Sequence, residues 1–241
     1  MSRTQTALEL PTLSARSVAL SVLLGVPQGR LSVRDILATG EMCDVAPATM
    51  RVALSRLVSA GELAVTGGTY SLSPAHLKRQ HAQQLALEPS TRAWDGSWET
   101  AVVIESGRDA ADRVRLRGDL AAARLAELRE GVWMRPANLV RPGIADPHLT
   151  SLVSRPNDPE LIVRLLWDLD GWADIGRAIL EAADTDELDG RRFAAATALV
   201  RHLRTDPVLP PALQPADWPA DALRQSYDRY RTQLHAFHVR T

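Results

Sequence analysis

At 241 residues, with 45% hydrophobic residues and a formal net charge of −1, the chain can hold one large domain or two to three small ones, and it carries no whole-chain signal for a polyanionic partner. Its single cysteine, Cys43, excludes an intrachain disulfide and a cysteine zinc cluster. No window approaches the roughly 18 apolar residues of a membrane span, and the N-terminus lacks an apolar core preceded by basic residues, so a cytoplasmic protein with no membrane contact is expected.

The charge is unevenly placed. The first 90 residues contain eight Lys or Arg against six Asp or Glu, whereas the remainder holds 20 against 23. Lys78 is the sole lysine, so nearly all positive charge sits on guanidinium forks suited to bidentate contacts.

In chain order, residues 1–13 read as a polar arm. Ser14 can cap a first helix through Leu24, with Leu20, Leu23 and Leu24 as its apolar patch and Gly25 at its end. Gln28 to Leu31 reads as a turn. Ser32 with Asp35 approximates a capping box for a second helix bearing Val33, Ile36 and Leu37, stopped near Gly40. A third helix is bounded by Pro47 and Ala60, with Gly61 just past its end. Its Met50, Leu54, Leu57 and Val58 share one apolar face. The opposite face carries Ala48, Thr49, Val52, Ser55 and Ser59, flanked by Arg51 and Arg56, with no carboxylate between Asp44 and Glu62 to repel phosphate. The period then changes to two: Leu63 and Val65 point one way and Tyr70 and Leu72 answer them across Gly67-Gly68, a hairpin signal. Three helices and a hairpin predict a winged helix-turn-helix.

Pro74 to Leu87 reads as a polar helical connector whose His76, Lys78, Arg79 and His81 form either a solvated face or a set of phosphate contacts. Glu88 to Arg92 marks a linker. From Trp94, a strand over Trp98 to Glu105, a helix over Ala110 to Arg129 and a strand over Gly131 to Arg135 predict a βαβ unit with a parallel sheet. A short helix at His148 to Val153 and a strand at Leu161 to Trp167 follow, and together these fit half or more of a ferredoxin-like sandwich. Leu169 to Leu180, Asp189 to Arg204 and Ala220 to His238 predict a helical third region, interrupted by the proline-rich DPVLPPALQPADWPAD. The expected fold class is therefore α+β and multi-domain: winged helix-turn-helix over 1–88, ferredoxin-like over 94–167, helical over 168–241.

Three stretches resemble the PaaX-like transcriptional regulators, the family of the phenylacetic-acid catabolism repressor: MRVALSRLVSAGEL with its hairpin, WDGSW with LRGDLAAARLAELREGVWMRP, and LLWDLDGW with the later DPVLPPALQPADWPAD. The resemblance spans nearly the whole chain in the family's order. It implies a homodimeric repressor that binds a double-stranded operator with inverted-repeat symmetry and responds to an acyl-CoA thioester such as phenylacetyl-CoA. The chain departs from the family at the wing tip, TGGTYS, which has no arginine, and between Leu77 and Arg92.

The candidate DNA-binding residues are Thr49, Arg51, Ser55 and Arg56 on the third helix, Arg51 for a base and Arg56 for a phosphate. The alternative is that either arginine pairs with Asp35, Glu41 or Glu62 and only holds the bundle together. Candidate effector-binding residues are Trp133, Arg135, Trp167 and Trp172, whose indoles can stack an acyl or adenine ring and whose guanidinium can meet a phosphate, with Arg141 or Arg164 as further phosphate partners. Indoles at such positions are commonly core residues instead. No nucleophile elbow or phosphate-binding loop exists, and His235 with His238 lack a third metal ligand, so neither enzyme chemistry nor a cofactor is expected. The rival readings are a metal-dependent nuclease using Glu105 and Asp109, and a dimeric scaffold.

Overall fold

The computed structural model describes residues 10, 12–104 and 109–240. The molecule is an α+β protein whose described residues form nine α-helices and two antiparallel sheets. It divides into two compact units, one of residues 1–87, 174–204 and 219–241, the other of 88–173 and 205–218. The expected separate helical domain over 168–241 is thereby corrected. Amphipathic stripes predict that helices bury a face but not which element receives it, and most of those helices belong with the N-terminal segment.

In the first unit, α1 (Ala15–Gly25) is capped by Ser14, whose hydroxyl accepts from the Ser17 amide at 3.2 Å. Ser32 caps α2 (Val33–Met42) by accepting from the Asp35 amide at 3.1 Å while donating to Asp35 Oδ2 at 2.7 Å. Pro47 opens α3 (Pro47–Ser59), and Gly61 follows with φ +68°. The strands β1 (Arg30–Ser32), β2 (Leu63–Thr66) and β3 (Thr69–Leu72) form a sheet in the order β1-β3-β2. The hairpin register pairs Leu63 with Leu72 and Val65 with Tyr70, as the alternation predicts. Gly67 and Gly68 both adopt positive φ, 56° and 77°, the requirement of a tight two-residue turn. The segment read as a turn, Gln28 to Leu31, does turn at Gln28 and Gly29, which both take positive φ, but its Arg30 and Leu31 begin β1. Three residues are too short for a period to show, and β3 supplies the partner.

Helix α4 (Pro74–Leu87) is bound to α1 by Gln80, whose Nε2 donates to the Leu23, Leu24 and Val26 carbonyls at 3.4, 3.2 and 2.9 Å. These are end carbonyls that α1 cannot satisfy itself. Helices α8 (Gly190–Leu203) and α9 (Ala220–Arg240) are joined through buried Arg192, which donates to the Ala183 carbonyl and to Ser226 Oγ and O.

In the second unit, β4 (Trp98–Val103), β5 (Ala126–Arg129), β6 (Val132–Pro136) and β7 (Leu149–Ser154) lie in the order β5-β6-β4-β7, every neighbouring pair antiparallel. The expected parallel pairing of the strands around Trp98 and Trp133 is overturned because an extra strand and a turn intervene. Helix α5 (Ala110–Ala122) ends before Arg129: Arg124 takes φ +62° and the Leu125 amide returns to the Leu120 carbonyl at 3.0 Å, freeing Ala126 to begin β5. Two further expectations are reversed. His148 to Val153 lies largely in β7, where Thr150 and Val153 suit a strand. Leu161 to Trp167 lies mostly in α6 (Pro159–Leu166), since Asp158 accepts from the Leu161 amide at 2.8 Å and Pro159 sets the first turn. Helix α7 (Leu169–Ala182) follows, its residues from Asp174 on belonging to the first unit. Trp133 and Met134 point to opposite faces of the sheet. Trp133 packs with Leu116, Leu120 and Leu125, and Met134 with Trp98, Val163, Leu209 and Leu213.

Candidate nucleic-acid interface

Helix α3 buries Met50, Leu54 and Leu57 almost completely. That fixes the rotation of the helix about its axis. Thr49, Arg51, Ser55 and Arg56 are consequently all exposed, with Ala48, Val52 and Ser59 among them. Thr49 and Arg56 also line a shallow groove of about 500 Å³ beside the start of α1, with Arg16, Val52 and Glu62.

The alternative partners for the arginines do not hold them. Among the described residues neither Arg51 nor Arg56 makes an ion pair or side-chain hydrogen bond. Glu62 is instead taken by Arg16, whose Nη2 lies 2.7 and 2.5 Å from its two oxygens, and by His76 Nε2 at 3.0 Å. The Arg16 hydrogen bond first, and the His76 bond second, hold the Glu62 carboxyl below its ordinary range. The acid nearest the end of α3 is therefore matched by its own cation, and Arg51 and Arg56 are left without a carboxylate partner among the described residues. Arg16 escapes sequence reading because its partner is 46 residues away. The first turn of α3 also lacks a side-chain cap, since its cap residue is Ala46. At the other end of the motif the turn Gly67-Gly68 presents only Thr66 and Thr69 beside it.

The four effector candidates do not converge on one opening. Trp133 is 8% exposed, inside the α5 core. Arg135 is fully buried, and all five of its N–H directions meet acceptors: Nε meets the Pro136 carbonyl at 2.9 Å, Nη1 the Arg124 and Pro207 carbonyls at 3.4 Å each, Nη2 Asn138 Oδ1 at 2.8 Å and the Val208 carbonyl at 3.3 Å. Burial, reinforced by Arg141, pushes its pKa down to about 9. Arg135 is thus a strut between β6 and residues 207–208, with no donor facing solvent. Trp167 is half-buried against the Trp98 cluster. Trp172 stacks on Trp218, with ring centroids 4.3 Å apart and planes 18° from parallel, and donates to Thr205 Oγ1 at 3.0 Å. Arg141 is held by both oxygens of Glu99 at 2.9 and 2.8 Å. Arg164 is exposed and makes no side-chain contact of this kind among the described residues.

The residues considered for metal, redox or nuclease chemistry have other surroundings. His238 Nε2 lies 2.9 Å from Thr39 Oγ1, whose own proton goes to the Asp35 carbonyl, so the ring is the donor. Burial, followed by Asp44 and Asp189, pushes the Cys43 thiol up to about 12. Asp109 caps α5 by accepting from the Asp112 amide at 2.8 Å, whereas Glu105 lies outside the described residues. Among the described residues no group of three His, Cys, Asp or Glu is placed to hold a metal ion. No helix among them is long and apolar enough to cross a membrane.

A helical bundle closed by a three-stranded sheet, and a four-stranded antiparallel sheet with helices against it, define an α+β protein. This fold is similar to the solved structure of the uncharacterized protein Rv0674 from Mycobacterium tuberculosis, with a TM-score of 0.81 and 40% sequence identity over 93% of this chain and 97% of that one. At that identity and coverage, the chain belongs to the same family as the Mycobacterium protein. No family model and no curated protein matches the sequence.

Proposed function

We propose that this chain is a DNA-binding transcriptional regulator of the PaaX-like kind, a dimeric repressor rather than an enzyme. The observation that carries the reading is the exposed face of α3, where Arg51 and Arg56 stand without a protein partner beside Thr49 and Ser55. In this reading α1 to α3 with the β1-β3-β2 sheet are a winged helix-turn-helix, and α3 enters the major groove, which admits a helix and exposes distinguishable base edges. Arg51 donates to guanine O6 and N7. Val52, half-exposed beside it, meets a thymine methyl, and Arg56 and the uncapped first turn meet phosphates. The arginine-free turn at Gly67-Gly68 leaves the wing a minor role.

One such module binds too weakly for useful selectivity, so the reading includes a homodimer on an inverted repeat with half-sites one or two turns apart. The four-stranded sheet is read as ferredoxin-like, since its order and antiparallel pairing suit that fold, although a loop replaces the helix expected between β6 and β7. The effector expected from the resemblance is an acyl-CoA thioester, which would relieve repression by favouring one dimer geometry.

Selection of bound fragments from the source genome, at two salt concentrations and with a panel of acyl-CoA thioesters, tests the reading. The expected result is an inverted repeat released by one thioester. Arg51→Ala should weaken operator binding by roughly 1–3 kcal/mol while leaving the fold intact. Sequence-random DNA that is lost steeply with salt would reduce the protein to a non-specific binder and sink the repressor reading.

A further inference from the structure

A second group of unneutralised positive charges in the first unit lies away from α3. A cavity of about 80 Å³ opens between the end of α1, the middle of α4, the last turns of α8 and the first half of α9. Arg79 of α4, Arg201 of α8 and Arg204 just past the end of α8 line it, and no Asp or Glu does. Among the described residues none of these three guanidinium groups has an ion-pair or side-chain hydrogen-bond partner. Burial, and after it Arg204, Arg201 and Arg16, hold the Arg79 pKa below its usual value, the mark of like charges crowded together. Such an arrangement costs stability in the empty protein, and an anion seated between the groups offsets that cost.

The floor of the cavity is fitted for hydrogen bonding. Tyr227 is 4% exposed, and its hydroxyl oxygen accepts from Gln83 Nε2 at 3.4 Å, while among the described residues no acceptor takes the tyrosine proton. Burial raises the Tyr227 pKa, so the phenol stays a donor at neutral pH. Gly25 keeps the approach to this hydroxyl clear, since a Cβ there would stand 3.4 Å from it. The volume suits one tetrahedral oxyanion in place of a few waters, not a whole cofactor.

We propose that Arg79, Arg201 and Arg204, with the Tyr227 hydroxyl, form a binding site for the phosphate group of a small phosphorylated molecule whose remainder lies at the cavity mouth. Three guanidinium forks lining one cavity, each on an exposed residue, suit a dianion with three free oxygens better than a carboxylate with two. A cavity whose lining includes the buried Tyr227 phenol also suits a small ligand better than a nucleic-acid backbone. The site stands independently of the DNA-binding reading.

The test is isothermal titration and thermal unfolding of the full chain with inorganic phosphate, pyrophosphate and adenosine monophosphate, with acetate as the carboxylate control, all at constant ionic strength. Saturable binding of phosphate with a rise in melting temperature, absent with acetate, is expected. Arg79→Gln and Arg201→Gln should each weaken it at least tenfold while leaving the ligand-free melting temperature unchanged or higher, because each removes a repelling charge. That second readout separates loss of the site from loss of the fold. Arg191→Gln, on an exposed position of the same α8, should bind phosphate as the wild type does. No saturable phosphate response in the wild type overturns the proposal, as does an undiminished response in Arg79→Gln and Arg201→Gln. If these two variants lose only affinity for double-stranded DNA, the cluster is a backbone contact and the small-molecule site is refuted.

Discussion

Two residues show how a side chain's role follows from its partner rather than its type. Glu62 sits at the end of the exposed face of α3, yet Arg16 and His76 fix it as a clamp joining α1, β2 and α4. Because its folded pKa is lowered, the stability it contributes is present above the ordinary glutamate value of 4.5 and is lost as the pH falls through the folded one. Melting temperatures of wild type and Glu62→Gln should therefore differ at pH 6 to 7 and converge toward pH 3; a constant gap across that range would remove the carboxylate charge as the cause. Arg135 is the opposite case, a charged residue read as available for a ligand and found with every N–H direction occupied. Arg135→Met should cost roughly 2–4 kcal/mol, because it leaves Asn138 Oδ1 and several carbonyls unpaired in the interior. Denaturant unfolding measures this, and a loss under about 0.5 kcal/mol would show that its buried hydrogen bonds add little net stability.

At the scale of elements, the first helices and the hairpin are legible from their end signals, whereas short apolar segments and those paired with distant strands are not. Ser14, Ser32, Pro47 and Gly61 bound α1 to α3 where the sequence predicts. The hairpin register follows from alternation around two glycines held at positive φ. Gly68→Val forces a β-branched residue to φ +77°, which should cost at least about 1 kcal/mol and loosen the hairpin. Amide exchange at Thr66 and Thr69 would report it, and unchanged protection there would argue against a turn of this type. In the second unit the same reasoning fails at α6 and β7, two short segments of mixed composition. LIVRLLW is apolar enough for a strand, and only the Asp158 cap and Pro159 decide for a helix. HLTSLV acquires its identity as a strand from hydrogen bonds to β4.

For the whole molecule, the consequential feature is that the first unit is assembled from three separated lengths of chain. Helix α4 packs on both α1 and α8, so the N-terminal segment does not complete its own core. A fragment of residues 1–88 leaves the α1 end and α4 without the α8 and α9 surface bearing Val200, Tyr227 and Tyr230. It should therefore unfold at a clearly lower temperature than the intact chain, or without a cooperative transition. Thermal unfolding by circular dichroism checks this, and a cooperative transition at the melting temperature of the intact chain would show instead that residues 1–88 are self-sufficient.

By itself the sequence determined what local rules govern: an α+β chain, the caps and bounds of the first helices, the hairpin and its register, and the exposed face of α3 carrying Thr49, Arg51, Ser55 and Arg56. Those features depend on residues a few positions apart, so periodicity and capping chemistry reveal them. Only the tertiary structure decided which carboxylates the arginines meet, that Arg135 is a buried strut, that Trp172 stacks on Trp218, and that Arg79, Arg201 and Arg204 share one cavity. Each depends on residues far apart in the chain or in different elements, and no local pattern records which distant groups folding brings within a few ångströms.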